Sequence, residues 1–264
     1  GKGEIMEESR RVLYSVDAGV ALVTLNRPDK RNALDDRMVA ELHEAFERAD
    51  RDPEARVVLL RGAGKDFCAG ADLAQLERIA AGTGPLENLD DAAALGDLLI
   101  RMRRLSKPIV AAVHGNAFAG GAGLATACDV VLASEDSRFG YPEVHLGFVP
   151  AMVMALLRRA CGEKIAFELV ARGDRIDAAE AHRLGLVNRV LPAATFEADS
   201  MEYARELAGR SASALRLIKR LFYGMDGASF EEAIARGAEV NVLARMTEDT
   251  REGVRRFLER KAPR

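Results

Sequence analysis

An uncharged apolar run at residues 109–113, Ile-Val-Ala-Ala-Val, ends at His114-Gly115 and leads into G-N-A-F-A-G-G-A-G-L at 115–124. The run is short and rich in β-branched residues, so it reads as a buried strand. Glycines after it permit tight turns and close backbone approach. The apolar residues that follow read as a helix, whose first N–H groups carry partial positive charge. The segment does not fit G-x-G-x-x-G, and no acidic residue stands at the distance that would hold a ribose. It lacks the G-K-[ST] of a P-loop, and it contains no serine, which excludes a nucleophile elbow. What remains open to it is an anion formed during reaction, received at the helix start.

The same alternation continues on both sides. Strands are predicted at 20–25, 56–60, 130–133 and 187–190, and helices at 35–49, 97–105, 152–160 and 178–184. Asp35 or Asp36 is placed to cap the first helix. Residues 80–92 mix Gly, Thr, Pro, Asn and Asp and read as a loop, with Glu87, Asp90 and Asp91 as possible shapers of a pocket. From Phe196 the pattern is helical to the end. Strands alternating with helices define an α/β class. The division expected is a core over 1–195 and a helical region over 196–264, packed on the core or on another subunit.

Composition narrows the function classes. With 264 residues and 48% hydrophobic, the chain buries a large core without staples. Its 38 Lys+Arg against 41 Asp+Glu give a net charge of −3, which speaks against a general nucleic-acid binder. Cys68, Cys128 and Cys161 are odd in number and lack C-x-x-C spacing, so neither a disulfide framework nor a zinc site is expected. No cluster of His, Cys and carboxylates has metal spacing. No apolar run reaches the roughly 18 residues of a membrane span. The first ten residues form no signal peptide, and the cytoplasm is the expected compartment.

Two further segments carry chemistry. Residues 26–34, N-R-P-D-K-R-N-A-L, place Arg27, Lys30 and Arg31 within five positions, cations suited to a phosphate-bearing ligand. Residues 67–73, F-C-A-G-A-D-L, put Ala69, Gly70 and Ala71 after a strand and leave backbone N–H groups open to a ligand.

Taken in order and spacing, these three segments resemble the enoyl-CoA hydratase/isomerase family, the crotonases. So do F-G-Y-P-E-V-H-L-G-F-V-P at 139–150, I-D-A-A-E-A-H-R-L-G-L-V-N-R-V at 176–190 and T-E-D-T-R-E-G-V-R-R-F-L-E-R-K at 247–261. The resemblance implies a spiral of strand-strand-helix turns, followed by a helical segment that builds homotrimers, often paired into hexamers. It implies an acyl-CoA thioester substrate, with no cofactor beyond the CoA the substrate carries. It implies an oxyanion hole of two backbone N–H groups, those of Ala71 and Gly120. By the same residue match, Arg27, Lys30, Ala33 and Leu34 fall in the family's nucleotide loop. Ala69, Asp72 and Leu73 fall along the adenine and pantetheine path. Phe257 and Lys261 match a C-terminal pair that reaches a neighbouring subunit's CoA.

Typical hydratases of the family carry two glutamates. One falls on Glu143 here, and the other on Gly123, which has no side chain. Two carboxylates suit hydration, where one activates water and the other handles the α-proton, while one suffices for a 1,3-proton shift. Three readings stay open: a 2-enoyl-CoA hydratase, including branched or glutaconyl-type substrates; a 3,2-enoyl-CoA isomerase with Glu143 as shuttle; and a non-catalytic binding protein. An apolar pocket around Phe118, Phe148 and Val149 would raise the pKa of Glu143. His145 would share its side if that segment is extended, though a structural role is the simpler one. Tyr141 either donates into the pocket or fills volume. His114 is expected to bond backbone, Asp129 to tie a loop, and Glu163 to start a helix.

Overall fold

The computed structural model describes residues 10–70, 72–82 and 84–261, apart from the side chains at 73, 85–88, 91 and 261. It opens with an antiparallel hairpin, β1 (Val12–Asp17) and β2 (Val20–Leu25). Ala18 and Gly19 turn it at φ 49° and 80°, the positive values a two-residue hairpin needs to match strand twist. Parallel to β2 come β3 (Val57–Gly62), β4 (Ile109–Val113), β6 (Val130–Ser134) and β9 (Arg189–Leu191). The large sheet therefore runs β1-β2-β3-β4-β6-β9.

A second sheet holds β5 (Asn116–Phe118), β7 (Arg138–Gly140) and β8 (Arg175–Asp177). Cys68 adds to it through a parallel bridge with Ala117. Three successive turns thus give one strand to the large sheet and one extended piece to the small: β3 then Cys68, β4 then β5, β6 then β7. Each continues into helix: α2 (Leu73–Ala80) and α3 (Pro85–Arg104), then α4 (Gly120–Ala127), then α5 (Ala151–Cys161) and α6 (Glu163–Arg172), with α7 (Ala178–Arg183) following β8. This is the spiral of the crotonase fold.

The large sheet is covered on both faces, which is why its strands read as unbroken apolar runs. Alternate residues go to opposite sides. Val23, Leu60, Ala111 and Val131 join the core under α1 (Asp36–Arg51), which contributes Met38, Leu42 and Phe46. Val20, Leu59, Val110 and Leu132 face α8 (Phe196–Ala208) through Phe196, Ala204 and Ala208. Asp35 caps α1 as expected, its Oδ1 accepting from Met38 N at 2.7 Å.

Most of the loop expected at 80–92 is helix instead. Helix α3 starts at Pro85, where a missing N–H costs nothing because first-turn donors have no intrahelical partner anyway. It carries Asp90 on the same helix as the apolar face, Leu98 and Met102. Past β9, α8 packs on the sheet. Helices α9 (Ala212–Gly224), α10 (Phe230–Arg245) and α11 (Glu248–Lys261) leave Phe222, Phe230, Ile234, Met246 and Leu258 exposed. Asp129 ties α9 down: it accepts from Lys219 Nζ at 2.7 Å, Tyr223 OH at 2.6 Å and Ile109 N at 2.6 Å.

Candidate active site

Cys68 N donates to Asn116 O at 3.1 Å, and Phe118 N donates to Cys68 O at 3.0 Å. These bonds lay residues 68–70 beside 116–121. The approach depends on glycine. A Cβ on Gly70, which sits at φ 97°, would stand 2.7 Å from Phe118 O and 2.8 Å from Ala119 Cβ. One on Gly121 would overlap Cys68 O. Ala119 takes φ 52° just before α4, a strained value for a residue with a side chain. It turns the chain so that Gly120 becomes the first residue of α4, whose N–H has no partner within the helix. Gly120 lines a cavity of about 950 Å³. Ala71, expected as the second donor, lies outside the described residues.

Glu143 lines the same cavity. It sits in a single 3-10 turn, Pro142–Leu146, started by proline and ended by Gly147 in the left-handed region. The residue is 9% exposed, and its Oε2 is buried without a hydrogen-bond partner among the described residues. Burial pushes its pKa above the ordinary carboxylate value. The apolar wall responsible differs from the one expected. Phe148 and Val149 line the cavity, but Phe118 does not; it is buried with the Arg175 guanidinium 4.9 Å from its ring centre.

The segment is helical rather than extended, so Glu143 and His145 do not share a side. His145 Nε2 lies 3.1 Å from Gly173 O, a structural contact, although the residue borders the cavity. Tyr141 is 1% exposed and pairs with Thr126 Oγ1 at 3.2 Å, so it fills volume. His114 Nε2 lies 2.8 Å from Gly64 O, and Glu163 opens α6 in an ion pair with Arg158.

The loop at 26–34 is knitted to the same region. Leu34 N donates to Gly70 O at 2.8 Å, and Ala69 N to Arg31 O at 2.9 Å. Leu34 and Ala69 line the cavity, and Ala33 is buried beside them in sequence. Arg27 is engaged internally: its Nη1 is 2.5 Å from Asp72 Oδ2 and 3.3 Å from Asp35 Oδ2. Its Nε is buried without a hydrogen-bond partner among the described residues. Burial alone would raise the Asp72 pKa, but hydrogen bonds from Arg27 and Ala74 N outweigh it and hold the carboxyl below its usual value. Arg31 pairs with Asp66 at 2.8 Å. Lys30 is exposed and makes no ion pair among the described residues. Leu73 begins α2, its side chain undescribed. Phe257 lies on α11, outside the cavity lining, and Lys261 is the last residue of α11, its side chain outside the described ones.

One wall was missed in the sequence. Asp36, Val39, Ala40 and His43 follow helical spacing along α1 and line the cavity opposite the loops, with Leu76, Ile79 and Leu95 from α2 and α3. This stripe lies beside the buried face of α1, and its mixed composition hides it among solvent-facing positions.

A two-sheet spiral whose helix N-terminus and buried carboxylate meet in one mostly apolar cavity defines a protein built to hold an organic ligand against a backbone donor and an acid–base group. The sequence pattern of the enoyl-CoA hydratase/isomerase family matches residues 15–264, and the chain belongs to that family. A Thermus thermophilus protein provisionally described as an enoyl-CoA hydratase is 44% identical over 253 residues, covering 96% of this chain and 100% of the relative. The 2,3-dehydroadipyl-CoA hydratase of Escherichia coli is 34% identical, covering 96% and 97%. The crystal structure of an enoyl-CoA hydratase from Mycobacterium smegmatis superposes with a TM-score of 0.90 at 33% identity, covering 97% of this chain and 99% of the other. No helix among the described residues is long and apolar enough to cross a membrane.

Proposed function

We propose that the protein is an enoyl-CoA hydratase that adds water across the 2,3 double bond of an acyl-CoA thioester, with branched and glutaconyl-type chains among its candidates. The observation that carries this reading is the buried, unpartnered Glu143 Oε2 in the cavity that Gly120 also lines. Attack at C3 places negative charge on the thioester oxygen. The Gly120 N–H at the start of α4, with the Ala71 N–H as its partner, stabilises that enolate, and one such donor is worth about 3 kcal/mol. Glu143 takes a proton from water as its oxygen bonds to C3, then passes that proton to C2. The raised pKa of Glu143 suits a group that must both accept and return a proton near neutral pH.

The nucleotide end of CoA is assigned to Arg27, Lys30, Ala33 and Leu34, with Ala69, Asp72 and Leu73 along the pantetheine arm. Exposed apolar residues on 212–261 support the division into a core over 1–195 and an oligomerising region over 196–264. The assembly proposed is a homotrimer or a pair of trimers, in which Phe257 and Lys261 reach a neighbour's CoA. No cofactor is needed beyond the CoA of the substrate, and the cytoplasm is the assigned compartment.

Gly123 favours a second reading, isomerisation of a 3-enoyl-CoA, where Glu143 moves a proton from C2 to C4. The absorbance of the conjugated enoyl thioester separates the two. Its decay with crotonyl-CoA supports hydration. Its rise with 3-hexenoyl-CoA, with no decay in the first assay, replaces the hydratase reading by the isomerase one. Silence in both, with a CoA ester still bound, leaves the binding-protein reading in place of either.

A further inference from the structure

Gly123 lies one turn along α4 from Gly120, on the same face of the helix. Gly120 lines the cavity, so a side chain at 123 would emerge on the cavity side. That volume is taken. Val153 of α5 is 4% exposed and lines the cavity. Its Cγ2 overlaps the place where a Cβ on Gly123 would stand, and its Cγ1 and Cβ lie 3.2 and 3.3 Å from that point. Valine is branched at Cβ and holds one strongly preferred χ1 in a helix, so it cannot swing aside as a long side chain would.

Resting on the reading above, we propose that Val153 is a specificity-determining residue that closes the α4 wall against any second acid–base group and leaves both proton transfers to Glu143. The consequence lies in the balance between two reactions. Hydration needs a water held while its proton goes to Glu143 and its oxygen bonds to C3. A proton shift from C2 to C4 needs no water. Hydrocarbon at this wall leaves the attacking water one acceptor, Glu143, where two carboxylates would give it two, so Val153 slows hydration relative to the proton shift without abolishing it. A carboxylate at 123, admitted by truncating Val153, restores an acceptor and moves the balance toward hydration.

The test uses the full-length protein and the variants Gly123→Ala, Val153→Ala, their double, and Gly123→Glu/Val153→Ala. Melting temperature is read for each, and hydration of crotonyl-CoA is compared with isomerisation of 3-hexenoyl-CoA. Gly123→Ala is expected to lower the melting temperature by about 5 °C through overpacking, and the double with Val153→Ala to recover most of that loss. Gly123→Glu/Val153→Ala is expected to raise the ratio of hydration to isomerisation about tenfold or more over Val153→Ala. Gly123→Asp/Val153→Ala carries the same test with a shorter side chain. The proposal is overturned if Gly123→Ala is as stable as the parent, if the ratio does not move, or if neither acidic double variant folds. Should the parent turn over neither substrate, the proposed function falls by itself. Val153 is then judged by the melting temperatures and by a gain of hydration in the acidic double variant that Val153→Ala lacks.

Discussion

Arg27 Nη1 stands 2.5 Å from Asp72 Oδ2, both side chains 10% exposed, and the other Asp72 oxygen accepts from Ala74 N at 2.8 Å. One carboxylate thus joins the loop at 26–34 to the start of α2. Removing one partner of a buried pair costs up to about 3 kcal/mol, an upper bound here because Asp35 Oδ2 stays 3.3 Å from Arg27 Nη1. Asp72→Asn is expected to lower stability by that order at pH 7. The sign with pH follows from the lowered Asp72 pKa. Its contribution is present above the unfolded carboxylate value, about 4, and is lost as pH falls through the lower folded value. Urea melts of parent and variant should therefore converge below about pH 4. A constant gap across that range would show that the pair is not the cause.

Glu143 behaves in the opposite sense. Its folded pKa is raised by burial, so the charged form is disfavoured in the native state. Relative to a neutral side chain, the glutamate destabilises the fold above its folded pKa, and the difference disappears as pH falls through the unfolded value. Glu143→Gln should melt higher than the parent at pH 8 and at the same temperature near pH 4. The same substitution should lower turnover at least about a thousandfold, since general acid–base contributions run to that size. The acidic limb of the parent's kcat/KM profile should lie above the ordinary carboxylate range. Full turnover in Glu143→Gln would remove Glu143 from the mechanism.

Gly121→Ala tests whether the contact of 68–70 with 116–121 sets the oxyanion geometry. The added methyl overlaps Cys68 O and stands 2.7 Å from Cys68 Cβ, so backbone must shift. Gly120 and the segment leading to Ala71 move apart, and a lost donor reduces kcat by about a hundredfold or more. KM for crotonyl-CoA should change far less, because the enolate oxygen carries its full charge only during reaction. A rise in KM at unchanged kcat would show that the contact shapes binding instead.

The bore of the cavity is set in part by Ala40, a small residue on the α1 wall. Ala40→Phe should leave turnover of crotonyl-CoA within about twofold and reduce kcat/KM for dec-2-enoyl-CoA by about tenfold or more, the scale of one or two methylene contacts. Equal effects on both chains would place the acyl group elsewhere.

Much of this was legible from residues alone, and the failures have physical reasons. Asp35 before an apolar stripe marked the start of α1, because an N-cap is written within four residues. Glu143 was found because it lies in a motif, but its 3-10 turn was not, since short turns leave no periodicity to read. Gly84-Pro85 reads as loop composition, although proline at a first helical position is also a start signal. The wall of Val39, Ala40 and His43 could not be read at all. Whether an intermediate stripe of a helix faces solvent or a cavity depends on what packs opposite, here α2 and α3. Val153 is the same case: its meaning comes from Gly123, 30 positions earlier in the chain.

Lys219 shows how the C-terminal helices are held. It is 6% exposed, and burial lowers its pKa despite the neighbouring Asp129. It donates to Asp129 Oδ2 at 2.7 Å and to Lys107 O at 3.0 Å. Asp129 also serves Ile109 N and Tyr223 OH, so its loss strands three donors at once, while loss of Lys219 strands acceptors that water can reach more cheaply at a 15% exposed carboxylate. Asp129→Ala should therefore cost about 3–5 kcal/mol, and Lys219→Met less, because without the ammonium Asp129 still accepts from Ile109 N and Tyr223 OH. Chemical denaturation of the two variants gives the order directly. If the proposed trimer depends on α9, Asp129→Ala should also dissociate it at concentrations where Lys219→Met remains assembled, which sedimentation velocity would read. An equal cost for both substitutions would mean that the ion pair alone, and not the carboxylate's three bonds, docks the helix.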